Sequence, residues 1–555
     1  MAKVTALQKK RDPLIMAGSI AAVLCLIVRI PLLRSIGAEG VAFFAPVNEL
    51  FLLCIVFFSS GLCEAMSQMI YYRVGRGQYR NAERVFAISR NVVLIFCLIL
   101  SLIILIGSKY IAEVLFLQGL SRMALLMVIP AIILMGLSCL LRGYFQGVGS
   151  TYPAAHSLIL EKSFGIVFVI LGAAYFYEYG EKVAAILHSN SHAAAYGAFG
   201  AVLGLAAAAL IAFLHLLIIY IMYRRTIQTN IYRDSSRGRE TPGHLYRTLL
   251  MLALPYGTYM VLSQLGPLIN QRIFYHFAGR MNEGGEIYIN MAAEWGNYYG
   301  IYLVVMGVLV AAICPIFIEG GEDIAKTYIR GEQRPAQEQL HRTFLFMLLA
   351  IVPVTILTAV LAEPLAGLLG AEDMALSKGL MQSGSALVFL LLFSLFWMEL
   401  LRHYKRIHAI GVLAAGGLCI QMGLLWLLLM SAKDGGQLIY MVVLANLAGA
   451  AFSFLAGFVF ICRTMKMGRD WMHRCIRSLV ISLLCGAIIG LMSVFLSGAL
   501  LDLLGSVATI IICPIVMAPI YLILMSLLRG LSAAEADKLP GGQYLVRIGQ
   551  KLRIW

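Results

Sequence analysis

Ten charged residues stand inside long apolar runs of this sequence, and the chemistry is most legible there: Arg29, Arg34, Glu49, Glu64, Arg90, Glu161, Lys162, Arg272, Glu294 and Glu399. An arginine at the centre of a membrane-spanning helix costs about 2.5–3.5 kcal/mol on insertion scales, so each buried charge needs a wet cavity or a partner. Arg90, Glu64 and Glu399 lie near run ends, where long side chains snorkel to the surface. Arg29 and Arg34 are five positions apart, about 140° around a helix, so they flank one side of it without stacking. With Arg272 they are expected to converge on a cavity, while Glu49 and Glu294 pair with them when the cavity is empty. The alternative is an Arg–Glu pair that merely holds helices together. Several guanidinium forks in one water-filled space suit the oxygens of an anionic phosphate group.

The elements that must position these charges follow from composition. The chain has 555 residues, 61% of them hydrophobic and 13% charged, against about 45–50% and 25% in an ordinary globular protein. That excludes a soluble enzyme. The formal charge of +15 does not gather on one polar face as a nucleic-acid binder requires. Basic residues fall instead in short clusters between apolar runs of about 20 residues or more, the length that crosses a ~30 Å hydrocarbon core as a helix. The reading is an all-α polytopic membrane protein with about fourteen spans, near 13–36, 41–72, 86–108, 122–147, 151–178, 193–223, 246–277, 284–318, 342–361, 379–401, 407–431, 437–462, 474–498 and 502–528. Loops are short except at 224–245 and 319–341.

With the N-terminus inside, the inside segments hold 32 Lys and Arg residues and the outside segments six. Cytoplasmic loops carry the basic excess, so both termini are expected in the cytoplasm. The segment 529–555 mixes Leu545, Ile548 and Trp555 with Arg547, Lys551 and Arg553, and should lie on the inner leaflet as an interfacial helix. Most of the eleven cysteines sit in apolar runs with no CxxC pair, which suits helix packing rather than a disulfide framework. No phosphate loop, HExxH, GxSxG or metal-spaced cluster is present, so neither ATP hydrolysis nor hydrolytic chemistry is indicated.

Weak features recur at an offset of about 245 residues: Arg29 and Arg34 against Arg272, and Glu49 against Glu294. Repeated halves around a midplane site are the usual construction of secondary transporters. Expected segments are an N-terminal lobe at 1–223, a cytoplasmic linker at 224–245, a second lobe at 246–462, an added pair of spans at 463–528 and the tail at 529–555.

The run Leu141-Arg142-Gly143-Tyr144-Phe145-Gln146-Gly147, followed by Tyr152-Pro153-Ala154 and Glu161, resembles the signature of the stage V sporulation protein B branch of the MOP (multidrug/oligosaccharidyl-lipid/polysaccharide) flippase superfamily. Arg29-Ile30-Pro31-Leu32-Leu33 with Ile36-Gly37-Ala38-Glu39-Gly40, and Ala193-Ala194-Ala195-Tyr196-Gly197-Ala198, are similar to that family's first and sixth spans. The resemblance covers essentially the whole chain and is densest in the first 210 residues. It implies fourteen helices in two pseudo-symmetric lobes around a central cavity, alternating access, and a substrate built on undecaprenyl diphosphate, with Arg29 matching the first-span arginine of the MurJ-type members. The expected activity is flipping of a lipid-linked saccharide, a lipid II-like or other envelope precursor, across the bacterial cell membrane without covalent change. No cofactor is expected, and coupling to Na+ or H+ is open. The chain is expected to act as a monomer among membrane lipids, alongside cell-envelope synthesis machinery, without nucleic acid. The rivals are a cation-coupled small-molecule exporter of the same superfamily and a glycan polymerase, the latter disfavoured by short outer loops. An inner gate is expected at Arg142, Gly143 and Gly147, the glycines letting helices approach and Arg142 reaching across the lobes.

Overall fold

The computed structural model describes residues 13–189, 191–234, 238, 240–283, 290–432, 435–528 and 530–531. Among them the regular elements are helical: α1 (Pro13–Ile27), α2 (Arg29–Val56), α3 (Glu64–Val74), α4 (Tyr79–Tyr110), α5 (Arg122–Gly147), α6 (Tyr152–Leu187), α7 (Ser191–Tyr232), α8 (Pro242–Gln264), α9 (Gly266–Glu283), α10 (Met291–Asn297), α11 (Leu303–Ile329), α12 (Gln333–Val360), α13 (Ala362–Leu369), α14 (Met374–Gly384), α15 (Ala386–His403), α16 (Ile407–Ser431), α17 (Leu438–Thr464) and α18 (Arg469–Leu527). Three π-helical stretches interrupt them, at Phe57–Cys63, Ile111–Leu115 and Tyr298–Tyr302.

Among the described residues eleven helical runs are long and apolar enough to cross a membrane, and twelve when α8 and α9, bent by 40° at their junction, form one span. Two runs are double-length. Pro13–Val74 holds 62 residues, which as a straight helix would be about 93 Å long, three times a ~30 Å core. It breaks at Gly37, with φ 70° and ψ 173°. The other run, Arg469–Leu527, breaks at Gly505, with φ 79° and ψ 177°. Only glycine takes this positive-φ conformation without a Cβ clash. Counting each double run as two spans restores the fourteen expected. The long loops expected at 224–245 and 319–341 are partly helical, the second as the helical spacing of its polar residues implies. α7 continues to Tyr232 and α11 to Ile329, the latter carrying an i,i+4 pair between Glu322 and Lys326, because these ends can leave the membrane without losing their backbone bonds. The interfacial tail helix expected at 529–555 falls almost wholly outside the described residues.

The chain divides into two compact units, Met1–Gly300 with Met422–Ile439, and Ile301–Gln421 with Tyr440–Trp555. In the first, α6 and α7 approach along glycines. A Cβ on Gly200 would stand 2.1 Å from the Gly172 carbonyl oxygen, and one on Gly204 would stand 2.4 Å from that of Phe168. In the second, α12 packs on α18, where Ser482 and Tyr521 share a 2.6 Å hydrogen bond. A ring cluster of Phe344, Phe393, Trp397 and Phe458 fills the space beside it.

Candidate functional site

Arg29 begins α2 directly after a turn at Val28, and Pro31 follows. A proline has no N–H for the carbonyl four residues back, so the helix is loosened where the arginine enters. The residue is 4% exposed. Its Nη2 donates to Glu49 Oε1 at 3.3 Å, and its guanidinium lies 3.9 Å from the centre of the Tyr299 ring. Tyr299 Oη donates to the same Glu49 oxygen at 2.6 Å and accepts from Asn48 Nδ2 at 2.9 Å. Arg29 Nε is buried with no hydrogen-bond partner. The cluster therefore holds one cation between a carboxylate and an aromatic face, with the buried Nε left open.

Tyr299 reaches this position through two local devices. It lies in the π-helical stretch Tyr298–Tyr302, whose wider turn shifts side chains off the ordinary helical phase. Just before it, a Cβ on Gly296 would stand 2.0 Å from the Ala38 carbonyl oxygen, so α10 meets α2 backbone to backbone. Pro46 leaves the Ala42 carbonyl without its helical donor, and the Gln271 side-chain amide supplies one at 3.4 Å. Gln118 extends that polar patch, donating to Tyr275 Oη at 2.6 Å and accepting from Ser121 Oγ at 3.2 Å.

Arg34 is exposed. Arg272 donates to the Val114 carbonyl, which lies in the π-helical stretch Ile111–Leu115, so it anchors the end of α4 rather than joining Arg29. Glu294 is half-buried in the first turn of α10. Arg272 thus differs from expectation in holding a backbone carbonyl, because carbonyls displaced from regular helix compete for guanidinium donors.

Arg142 is also corrected. Expected to reach across lobes, it is held within its own unit, with Nε donating to Ser157 Oγ at 2.8 Å and Nη2 to Glu161 Oε2 at 2.7 Å. The half-buried Lys162 completes a triad through the second Glu161 oxygen at 2.5 Å. The short α5–α6 turn brings these residues together, and a buried guanidinium takes the nearest carboxylate. The two glycines do bring α5 onto α3 and the end of the π-helical stretch that precedes α3. A Cβ on Gly143 would stand 2.9 Å from the Cys63 carbonyl oxygen, and one on Gly147 would stand 2.7 Å from Ile70 Cβ.

Asn48 and Tyr299 had not been singled out from sequence; adjacency of Asn48 to Glu49 was the available signal, and Tyr299 had none. Among the described residues no group of three or more His, Cys, Asp or Glu side chains is placed to hold a metal ion.

Residues 13–171 match the MatE family model. Stage V sporulation protein B of Bacillus subtilis (strain 168) is 26% identical over 244 residues, an alignment spanning 44% of this chain and 44% of that protein. This chain thus covers less than half the length of that curated relative. An inward-facing multidrug resistance MATE family transporter of the MOP superfamily superimposes with a TM-score of 0.59 at 16% identity, covering 82% of this chain and 99% of that one. The lipid II flippase MurJ in an inward closed conformation gives 0.59 at 12% identity, covering 92% and 97%. The described residues share the helical membrane fold of these two solved transporters.

Proposed function

We propose that this protein flips a saccharide linked to a polyprenyl diphosphate from the inner to the outer leaflet of a bacterial cytoplasmic membrane, by alternating access and without covalent change. The observation that carries the reading is Arg29, a guanidinium buried in an apolar span with an open Nε. Glu49 and Tyr299 hold it in the resting arrangement. A diphosphate can replace Glu49 with a second negative oxygen in bidentate geometry, which a fork-shaped donor matches better than a point charge. Movement of the anionic headgroup outward is favoured by an inside-negative potential, about 2.3 kcal/mol per charge per 100 mV, so the potential itself supplies a driving force, and coupling to Na+ or H+ stays open. Kinship with stage V sporulation protein B and the fold shared with MurJ support a lipid-linked substrate.

The same proposal has both termini in the cytoplasm, lobes at 1–223 and 246–462 joined by the linker 224–245, the pair of spans at 463–528 appended, and Gly143 and Gly147 at the inner gate. It has the chain acting as a monomer beside envelope-synthesis enzymes. A second reading, a cation-coupled small-molecule exporter, is favoured by the MatE match and the MATE fold. It would need a carboxylate free to bind a cation, and Glu49 already holds Arg29 and accepts from Tyr299.

Proteoliposomes loaded with a fluorescent undecaprenyl-diphosphate glycan test the choice. Arg29→Ala should abolish flipping, and Arg29→Lys, which keeps charge but not the fork, should slow it at least tenfold. Unchanged flipping by Arg29→Ala would refute Arg29 as the diphosphate grip, and no flipping by the wild type, with drug efflux present, would replace this reading by the exporter.

A further inference from the structure

The second unit contains a cavity of about 400 Å³ where α15 turns into α16 and α17 ends. Its wall includes Lys405, Arg406, Ile407, His408, Phe460 and Arg463. Two helix C-termini meet its rim, each closed by a left-handed lysine: Lys405 with φ 57° and Lys466 with φ 51°. Both ends are capped by backbone bonds, Arg406 N to Leu401 O at 3.0 Å and Met467 N to Cys462 O at 3.0 Å.

Charge balance makes this more than a solvated loop. Each helix C-terminus carries about −0.5 of a charge and the α16 N-terminus, whose Ile407, His408 and Ala409 line the cavity, about +0.5, so the three ends together offset roughly half of one of the three permanent cations, leaving about +2.5. Among the described residues Lys405, Arg406 and Arg463 form no ion pair with a carboxylate. The neighbouring carboxylate, Glu399, is engaged by Arg402 and by His403 at 3.2 Å. The wall is also braced. Tyr328 Oη donates to the Thr464 carbonyl at 2.9 Å, Gln337 Nε2 donates to that of Met465 at 3.0 Å, and the Tyr404 hydroxyl donates to Met465 Sδ at 3.4 Å. Burial, with Tyr328 beside it, pushes the Tyr404 phenol above its ordinary value, so it adds no negative charge.

An apolar track leaves the cavity. Leu455, Val459 and Arg463 follow at i, i+4 and i+8 on one stripe of α17, and both apolar members are exposed; on α16, Ile407 and Val412 are exposed likewise. Loop cations set topology anywhere in a membrane protein, but topology needs neither a cavity nor an apolar stripe aligned with one of its cations.

We propose that this cavity binds the phosphate headgroup of an anionic phospholipid of the inner leaflet, its acyl chains lying along the stripe of α17 and the start of α16. Basic pockets between spans on the cytoplasmic side suit such headgroups, and the cavity falls within the ordinary range for small ligands. The site stands independently of Arg29 and of the glycan carried.

Native mass spectrometry of the full-length protein in detergent, titrated with phosphatidylglycerol or with phosphatidylcholine of the same chains, tests it. Wild type should retain phosphatidylglycerol under conditions that strip phosphatidylcholine. Lys405→Gln/Arg406→Gln/Arg463→Gln should weaken that binding at least tenfold, while Arg330→Gln/Arg334→Gln, which removes two exposed cations elsewhere, changes it less than twofold. If the triple variant does not purify, Arg406→Gln alone should weaken binding about threefold. Equal retention by the cavity variants, or equal loss in the control, overturns the proposal. So does displacement of phosphatidylglycerol by millimolar inorganic phosphate, which would make the site one for a free anion.

Discussion

Replacing Tyr299 by Phe isolates one atom of the Arg29 cluster. The ring that lies 3.9 Å from the guanidinium stays, so the cation–π attraction is kept. What goes is the hydroxyl that donates to Glu49 at 2.6 Å and accepts from Asn48 at 2.9 Å. A hydrogen bond to a charged group is worth about 1.5–3 kcal/mol and a neutral one about 1 kcal/mol, so Tyr299→Phe should cost about 2–4 kcal/mol. Glu49→Gln removes the partner of a buried cation and should cost about 3–5 kcal/mol. Because the hydroxyl and Arg29 bind the same carboxylate oxygen, the two changes should not add. The double variant should be less destabilised than their sum by about 1–2 kcal/mol, read from denaturant unfolding of the purified protein in detergent. Additivity within about 0.5 kcal/mol marks independent sites, and that result would refute the shared-oxygen arrangement.

Gly296→Ala places a Cβ 2.0 Å from a backbone oxygen and should cost about 3 kcal/mol or prevent folding, whereas Gly423→Ala, with nothing within 4 Å, should be neutral or stabilising by up to about 1 kcal/mol; melting temperatures separate them. Glu161→Gln strands Arg142 and Lys162 and should destabilise by about 3–5 kcal/mol, with partial recovery on adding Lys162→Met, measured in the same way. Arg272→Ala should speed hydrogen exchange over 111–118, where its carbonyl partner lies, while changing flipping less than threefold; a large loss of flipping without faster exchange would return Arg272 to the substrate site.

The sequence carried the class of fold because an apolar run of some 20 residues has few meanings, and the charges within such runs announced Arg29 and Glu49. Their partners were not legible for a physical reason. Tyr299 acquires its role from a π-helical turn and from the backbone contact at Gly296, and neither leaves a mark in residue type. Arg272 was visible as a misplaced charge, but the carbonyl it binds is freed by an irregular turn about 158 positions away. Arg142 and Glu161 were both noticed within one motif. Missing was the direction: the α5–α6 turn is short enough for the pair to close on itself, and a guanidinium closed on one carboxylate has little left for a distant lobe.

The glycines at Gly37 and Gly505 bear on how the chain enters the bilayer at all. Two spans joined through one left-handed residue form a hairpin whose connection contains almost no backbone outside helical bonding. Each unpaired peptide group costs several kcal/mol in hydrocarbon, so a long polar connection would have to be threaded across the membrane against that cost. With a one-residue reversal there is nearly nothing to thread. Each of these hairpins can leave the translocon as a single apolar unit, and lengthening either turn should impair biogenesis even where the finished fold would tolerate it.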